Sequence, residues 1–288
     1  MVWGLSAAVG EGLFALGGAA WLLLAGLYAL KWLIAPEQAA AEAEDAVQCC
    51  FIGLAGVATL LIAQGSLPYA RPVAVALFIA GATFTLGFGL WRTGMLWRGG
   101  RAVGSTTPIL YLPLVAGGFV TGTTAAALGW RTAGQLAFGA ALFSWLAIES
   151  VLLHRLYTGE PLPPALRPTL GIQLAPPAVG AVSCLAVSPG VPGMAATALV
   201  GYASLQALLL VRMAWWIAEA PFAASYWAFT FGATALAAAA TKVSASASDG
   251  AISIIAATSF VVANLLVSAV WQAPYVSSCG IAFSPRRW

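Results

Sequence analysis

The sequence predicts an all-α integral membrane protein, a multi-span bundle of helical hairpins read as one transmembrane domain over residues 1–288. Three observations predict it. Hydrophobic residues make up 61% of the chain and charged residues 7%, whereas a soluble domain carries about 25% charged residues. So few charges cannot cover a surface in water, and the mean hydropathy of +0.92 agrees. The apolar runs are also long and continuous. Only helices or closed barrels satisfy the backbone in lipid, and runs without alternation select helices.

A spanning helix needs roughly 20 apolar residues. Nine such runs follow in order, near 13–34, 47–67, 72–91, 108–129, 133–157, 168–187, 193–211, 222–240 and 251–271. Residues 1–12 are too short to span. The connections are short, as between antiparallel neighbours. The longest are the acidic, alanine-rich 35–46 link and the basic, glycine-rich 92–107 link.

The twelve basic residues sort by side. Lys31, Arg92, Arg98, Arg101, Arg155, Arg167 and Arg212 flank the first, third, fifth and seventh connections, and Arg286 and Arg287 follow the last span. Arg71, Arg131 and Lys242 flank the alternate connections. Cytoplasmic loops collect Lys and Arg, so the richer side is cytoplasmic. That places the C-terminus inside and, with nine spans, the N-terminus outside. Trp91, Trp97, Trp130, Trp215 and Trp216 fall near span ends, as interfacial rings do. The many glycines and alanines read as close helix packing.

Every second span carries a helix breaker. The second has Gly53 and Gly56 at its middle. The fourth has Pro113, followed by Gly117 and Gly118, and the sixth has Pro176 and Pro177. A mid-helix proline removes a hydrogen bond and kinks the helix, and such a defect is tolerated in a membrane only against protein or a water-filled cavity. The spacing predicts bent helices gathered around an axis with straighter ones outside. The bent set has no Lys, Arg, Asp or Glu between its span ends. Thr59, Thr121, Thr123, Thr124, Gln173, Ser225, Thr230 and Thr234 are the polar groups it offers.

The eighth span reads P-F-A-A-S-Y-W-A-F-T-F-G from Pro221 to Gly232. Phe231 is followed directly by Gly232, a point where a helix can bend. A large ring beside a flexible point on a helix of small residues can plug a narrow pore; a packing or lipid-facing ring is the plainer reading. Phe229 lies on another face of the helix and reads as packing.

Four stretches, S-T-T-P-I-L-Y-L-P-L-V-A-G-G-F (105–119), F-S-W-L-A-I-E-S-V-L-L-H-R-L (143–156), A-L-R-P-T-L-G-I-Q-L-A-P (165–176) and the 221–232 segment, resemble the tellurite-resistance/dicarboxylate transporter family, the bacterial TehA type related to the plant slow anion channels. The resemblance covers nearly the whole chain. It implies five hairpins in quasi-five-fold arrangement around a central pore, a homotrimer in the bacterial inner membrane, and a gating phenylalanine that corresponds to Phe231. It also implies that the nine spans match the family's second to tenth helices. The first helix has no counterpart, from a misplaced gene start or a truncation, and Gly56 stands near a family proline.

Glu149 is the one carboxylate well inside a span. An intramembrane ionisable group is a functional candidate by default; the alternatives are an ion pair or hydrogen bond to a neighbouring helix and a proton-coupling role. His154 is the single histidine and reads as interfacial. Cys49, Cys50, Cys184 and Cys279 have no metal or redox spacing. No catalytic residues, metal or cofactor are expected, and no nucleic-acid partner.

The leading expectation is a channel for small monovalent anions through a narrow uncharged pore. The alternative is a proton-coupled transporter of malate-like dicarboxylates or sulfite; an intramembrane enzyme lacks any paired carboxylates or activated nucleophile. The topology is directly testable. A cysteine placed at Ser246 should react with an impermeant reagent added outside, and one at Gly100 should not. The reverse pattern rejects the map.

Overall fold

A computed structural model describes residues 7–45, 48–100, 106–188, 190, 193–219, 221–246 and 250–278; Arg101, Cys279, Arg286 and Arg287 lie outside them. No strand occurs among the described residues. Five uninterrupted helices are long and apolar enough to span: α1 (Ala7–Ile34), α5 (Arg71–Trp97), α7 (Arg131–Thr158), α9 (Met194–Ile217) and α11 (Gly250–Ser278). Between them the segments are broken. Residues 48–66 form α3 (Gln48–Ile52) and α4 (Leu54–Ser66), interrupted at Gly53. Residues 108–127 run from a 3-10 turn (Pro108–Tyr111) through a π-helical turn (Leu112–Ala116) into α6 (Gly117–Ala127). Residues 164–187 begin as a 3-10 helix (Pro164–Leu174) and continue as α8 (Ala175–Val187). A 3-10 turn (Ala224–Trp227) leads into α10 (Ala228–Ser244).

The alternation expected from the prolines is therefore present. Eight of the nine expected spans are long apolar helical stretches among the described residues. The ninth, 224–244, couples a 17-residue α-helix to its 3-10 turn. At 1.5 Å and 2.0 Å per residue the two together extend roughly 34 Å, enough for a hydrocarbon core of about 30 Å. The 35–46 link is largely a short helix, α2 (Pro36–Glu44), tied to α1 by the Lys31–Glu42 ion pair at 2.5 Å.

The chain divides into two compact units, residues 1–105 with 109–148, and 106–108 with 149–288; α7 runs through both. In the first unit the broken segment 108–127 is 72% buried and α5 22%. In the second, 164–187 is 78% buried, α9 28% and α11 11%. The irregular backbone at 108–116 and 164–174 thus lies in the most buried segment of each unit, where an unpaired amide can be satisfied without lipid.

The first unit is held at a glycine socket. Thr85 of α5 is buried between Gly56 of α4 and Gly117 of α6. A Cβ at Gly56 would lie 2.3 Å from Thr85 Oγ1, and one at Gly117 would lie 2.1 Å from Thr85 Cγ2. Gly118 meets Ala141 of α7 in the same way, at 2.8 Å. α6 ends in a Schellman motif: Gly129 takes φ 90°, Trp130 N–H donates to Ala125 and Gly129 N–H to Ala126. Arg71 then donates to the Leu128 carbonyl at 2.9 Å, fastening the start of α5 to the end of α6.

The second unit packs α8, α9, α10 and α11 around a core of Leu170, Leu174, Ala178, Val200, Leu236 and their neighbours. Arg167 ties the start of the 3-10 helix to the end of α9. It lies over the Trp216 ring at 4.3 Å, donates to the Trp216 carbonyl at 3.1 Å and pairs with Glu219 at 2.5 Å.

The socket makes a prediction. Gly56→Ala should lower stability by roughly 1–3 kcal/mol through overpacking. Gly87→Ala, on α5 near Thr85 but with open space around it, should be neutral or gain up to about 1 kcal/mol of helix propensity. Thermal unfolding of both variants in detergent reads the difference; equal behaviour rejects the socket.

Candidate functional site

Gly232 sits inside α10, which continues as regular helix on both sides of it. It is buried, and a Cβ there would lie 2.9 Å from the Ala175 amide nitrogen and from Leu174 Cβ and Cγ. The glycine therefore admits a neighbour rather than bending its own helix. The opposing segment returns the contact. A Cβ on Gly171 would lie 2.7 Å from the Phe229 ring and 2.9 Å from the Phe229 nitrogen. Each element thus offers a glycine to the other's side chain, Gly171 to Phe229 and Gly232 to Leu174, and the two interlock.

This seam fixes the face of α10. At about 100° per residue, Phe229 and Gly232 lie on one side of the helix. Phe231 lies about 130° round from the centre of that side. Phe229 packs against the core of the second unit and stacks on Tyr226, with ring centroids 6.3 Å apart. Phe231 is half-buried and belongs to another face. The hydroxyls around it turn back on the helix: Thr230 donates to the Trp227 carbonyl at 2.8 Å, and Thr234 to Thr230 at 2.9 Å and Phe231 at 3.1 Å.

Pro176 and Pro177 occupy the first turn of α8, where missing amides have no helical partner to lose. The departure from α-helix precedes them, in the 3-10 run that ends at Leu174. Pro113 lies within the π-helical turn, and its carbonyl comes within 3.2 Å of where a Cβ on Gly89 would stand. Gly56, Gly117 and Gly118 are packing glycines, and the break in the second span falls at Gly53. Thr121 is half-buried on α6, while Thr123 and Thr124 donate to the Phe119 and Val120 carbonyls of their own helix.

Glu149 is 8% exposed and lies in a chain of buried polar groups. Tyr202 O–H donates to Glu149 Oε1 at 2.6 Å, and Gln206 Nε2 donates to the Tyr202 hydroxyl at 2.8 Å. Gln173 Nε2 lies 3.4 Å from both carboxylate oxygens. These contacts join α7 and α9 to the 3-10 helix, as the hydrogen-bond reading of Glu149 requires. Tyr202 and Gln206 went unnoticed in the sequence, although two polar groups one turn apart on an apolar helix mark one face.

Arg92 is not a loop-flanking charge: it is 5% exposed, inside α5 and beside Cys50. Arg155 is buried as well and donates to the Glu160 carbonyl at 2.8 Å, while His154 is exposed. Cys49, Cys50 and Cys184 are buried and outside any disulfide, and the Cys49 and Cys50 sulfurs lie 3.8 Å apart. Among the described residues no group of three His, Cys, Asp or Glu converges. A cavity of about 700 Å³ between α1 and the 48–66 segment is lined mainly by Gly17, Trp21, Leu24, Ala55 and Ala58, with Tyr28, Glu42, Gln48 and Thr59 among its polar groups.

Comparison with known proteins gives two findings. The profile of the family described as SLAC1, voltage-dependent anion channel, matches residues 2–272. A "Tellurite resistance protein TehA homolog" of Haemophilus influenzae is 35% identical over 224 residues, covering 77% of this chain and 68% of the relative.

Proposed function

The chain belongs to the voltage-dependent anion channel family, and we propose that it is a channel that passes small monovalent anions through a narrow, uncharged pore gated by Phe231. Membership supports an anion channel or transporter in general, a multi-pass membrane protein rather than an enzyme. The finer reading rests on one observation: Phe231 stands off the face by which α10 is fastened. Phe229 and Gly232 take up the contact with the 164–174 helix, so the second ring is free of that packing duty and can close a lumen.

Lining chemistry supports the monovalent choice. The broken segments carry no Lys, Arg, Asp or Glu within 48–66, 108–127, 168–187 or 224–240. Without a fixed cation no anion is held tightly, and passage follows how readily the ion sheds water. Nitrate and iodide are then favoured over chloride, and divalent malate is disfavoured. Tellurite resistance, in the relative's name, would follow here from permeation of the oxyanion. In this reading the protein is a homotrimer in a bacterial inner membrane with its C-terminus in the cytoplasm, and Glu149 is structural. In the coupled-transporter reading, Glu149 carries the proton.

Two measurements test the reading. Phe231→Ala should raise anion conductance strongly with little loss of thermal stability. Phe229→Ala should destabilise by up to roughly 3–5 kcal/mol, the range for a lost core ring. A quiet and unstable Phe231→Ala rejects the gate. For selectivity, liposome flux should rank iodide and nitrate above chloride. A steep preference for malate that depends on a proton gradient would promote the transporter, and loss of that coupling in Glu149→Gln would assign the proton.

A further inference from the structure

The 3-10 helix that grips α10 is itself held from another side. With 3.0 residues per turn, Gly171 and Leu174 eclipse on one face, and Gln173 lies about 120° away. The first face meets Phe229 and Gly232. Gln173, 5% exposed, reaches Glu149 with its amide nitrogen. Its carbonyl oxygen is buried with no hydrogen-bond partner. The Gln173 amide therefore depends on Glu149 for its fixed position. Glu149 is in turn oriented by Tyr202, and Tyr202 by Gln206. A 3-10 run of 11 residues is far longer than the usual three or four, and such runs mark hinges or strain. It needs lateral anchors to keep its register.

We propose that Glu149 is a positioning residue for the gate. Through Gln173 it sets the 164–174 helix, and through the Gly171–Phe229 and Leu174–Gly232 contacts that helix sets the rotation of α10 and hence of Phe231. The inference rests on the gate reading of Phe231. It differs from a proton-coupling role, because the carboxylate acts as a hydrogen-bond acceptor that holds a backbone and no ion crosses it. Tyr202 and Gln206 share the task by fixing the carboxylate.

The test combines two readouts on the full chain. Hydrogen–deuterium exchange over 164–174 should rise in Glu149→Gln, which keeps the volume and removes the charged acceptor. Iodide flux in liposomes should rise several-fold in the same variant. That rise should vanish when Glu149→Gln is placed on a Phe231→Ala background, because the gate it displaces is gone. Tyr202→Phe, which removes one hydroxyl, should give a smaller change of the same kind and serves if Glu149→Gln does not fold. Unchanged exchange over 164–174, or a flux change equal in both backgrounds, overturns the proposal. Failure of the gate reading is separately visible: Phe231→Ala alone is then silent, whatever exchange does, and the functional half of the proposal falls with it.

Discussion

Inside hydrocarbon a backbone amide has no water to turn to, and this constraint orders the molecule. Three of the segments that leave the α-helical pattern, at 108–116, 164–174 and 224–227, carry prolines or follow one closely, and the fourth breaks at Gly53. The segments at 108–127 and 164–187 are 72% and 78% buried, where a freed group can find a partner from protein, whereas the 224–227 turn has no buried residue. The uninterrupted helices α1, α5, α9 and α11 expose rows of Leu, Ile, Val and Phe.

Association of such helices cannot draw on the hydrophobic effect, because the lipid is as apolar as the side chains. Close contact has to supply it. The two units solve this alike. In the first, one threonine enters a socket of two glycines, Gly56 and Gly117; in the second, Phe229 enters at Gly171 and Leu174 at Gly232. Removing a Cβ on one helix lets a side chain on the other come within van der Waals reach of backbone. Dispersion over many such contacts is individually small and collectively large. The polar anchors, Arg71 to Leu128, Arg167 to Trp216 and the Glu149 group, then fix register where apolar surfaces alone would slide.

Eight of the nine expected spans, the alternation of broken and unbroken segments and the packing role of Phe229 were legible in the sequence, because each rests on a local property: length of an apolar run, a helix breaker, helical periodicity. The glycines were not. Gly56, Gly117 and Gly232 have the same local signature whether they bend a helix or admit a neighbour, and the difference lies in what stands opposite. Pro176 and Pro177 likewise read as mid-span kinks, since only the preceding 3-10 run moves the α-helical start to Ala175 and makes them first-turn residues. Arg92 counted as a flanking charge because the sequence ends its span at 91, whereas α5 continues to Trp97 and carries it inside. Glu149 stood out in the sequence as a carboxylate within a span, and it is buried, but its partners come from residues 24 and 53 positions away, beyond any periodic signal.

The two aromatic rings of α10 follow from this packing. α10 packs against α8, α9, α11 and the 164–174 helix, and the glycine seam with the 164–174 helix is one of these contacts. Phe229 and Phe231 have the same chemistry and lie two residues apart, yet they stand on different faces: Phe229 in the seam against Gly171, and Phe231 half-buried outside that contact. A ring that must block a lumen needs a rigid mount and no packing obligation of its own. For the proposed gate, the mount of Phe231 is built by its neighbours, through the Phe229–Gly171 and Gly232–Leu174 contacts. The polar anchoring lies on another flank of the 3-10 helix, at Gln173 about 120° from the Gly171 face: a hydrogen-bonding group on the face of Gly171 would hold the two helices apart, whereas one turned away from it steadies the seam without entering it.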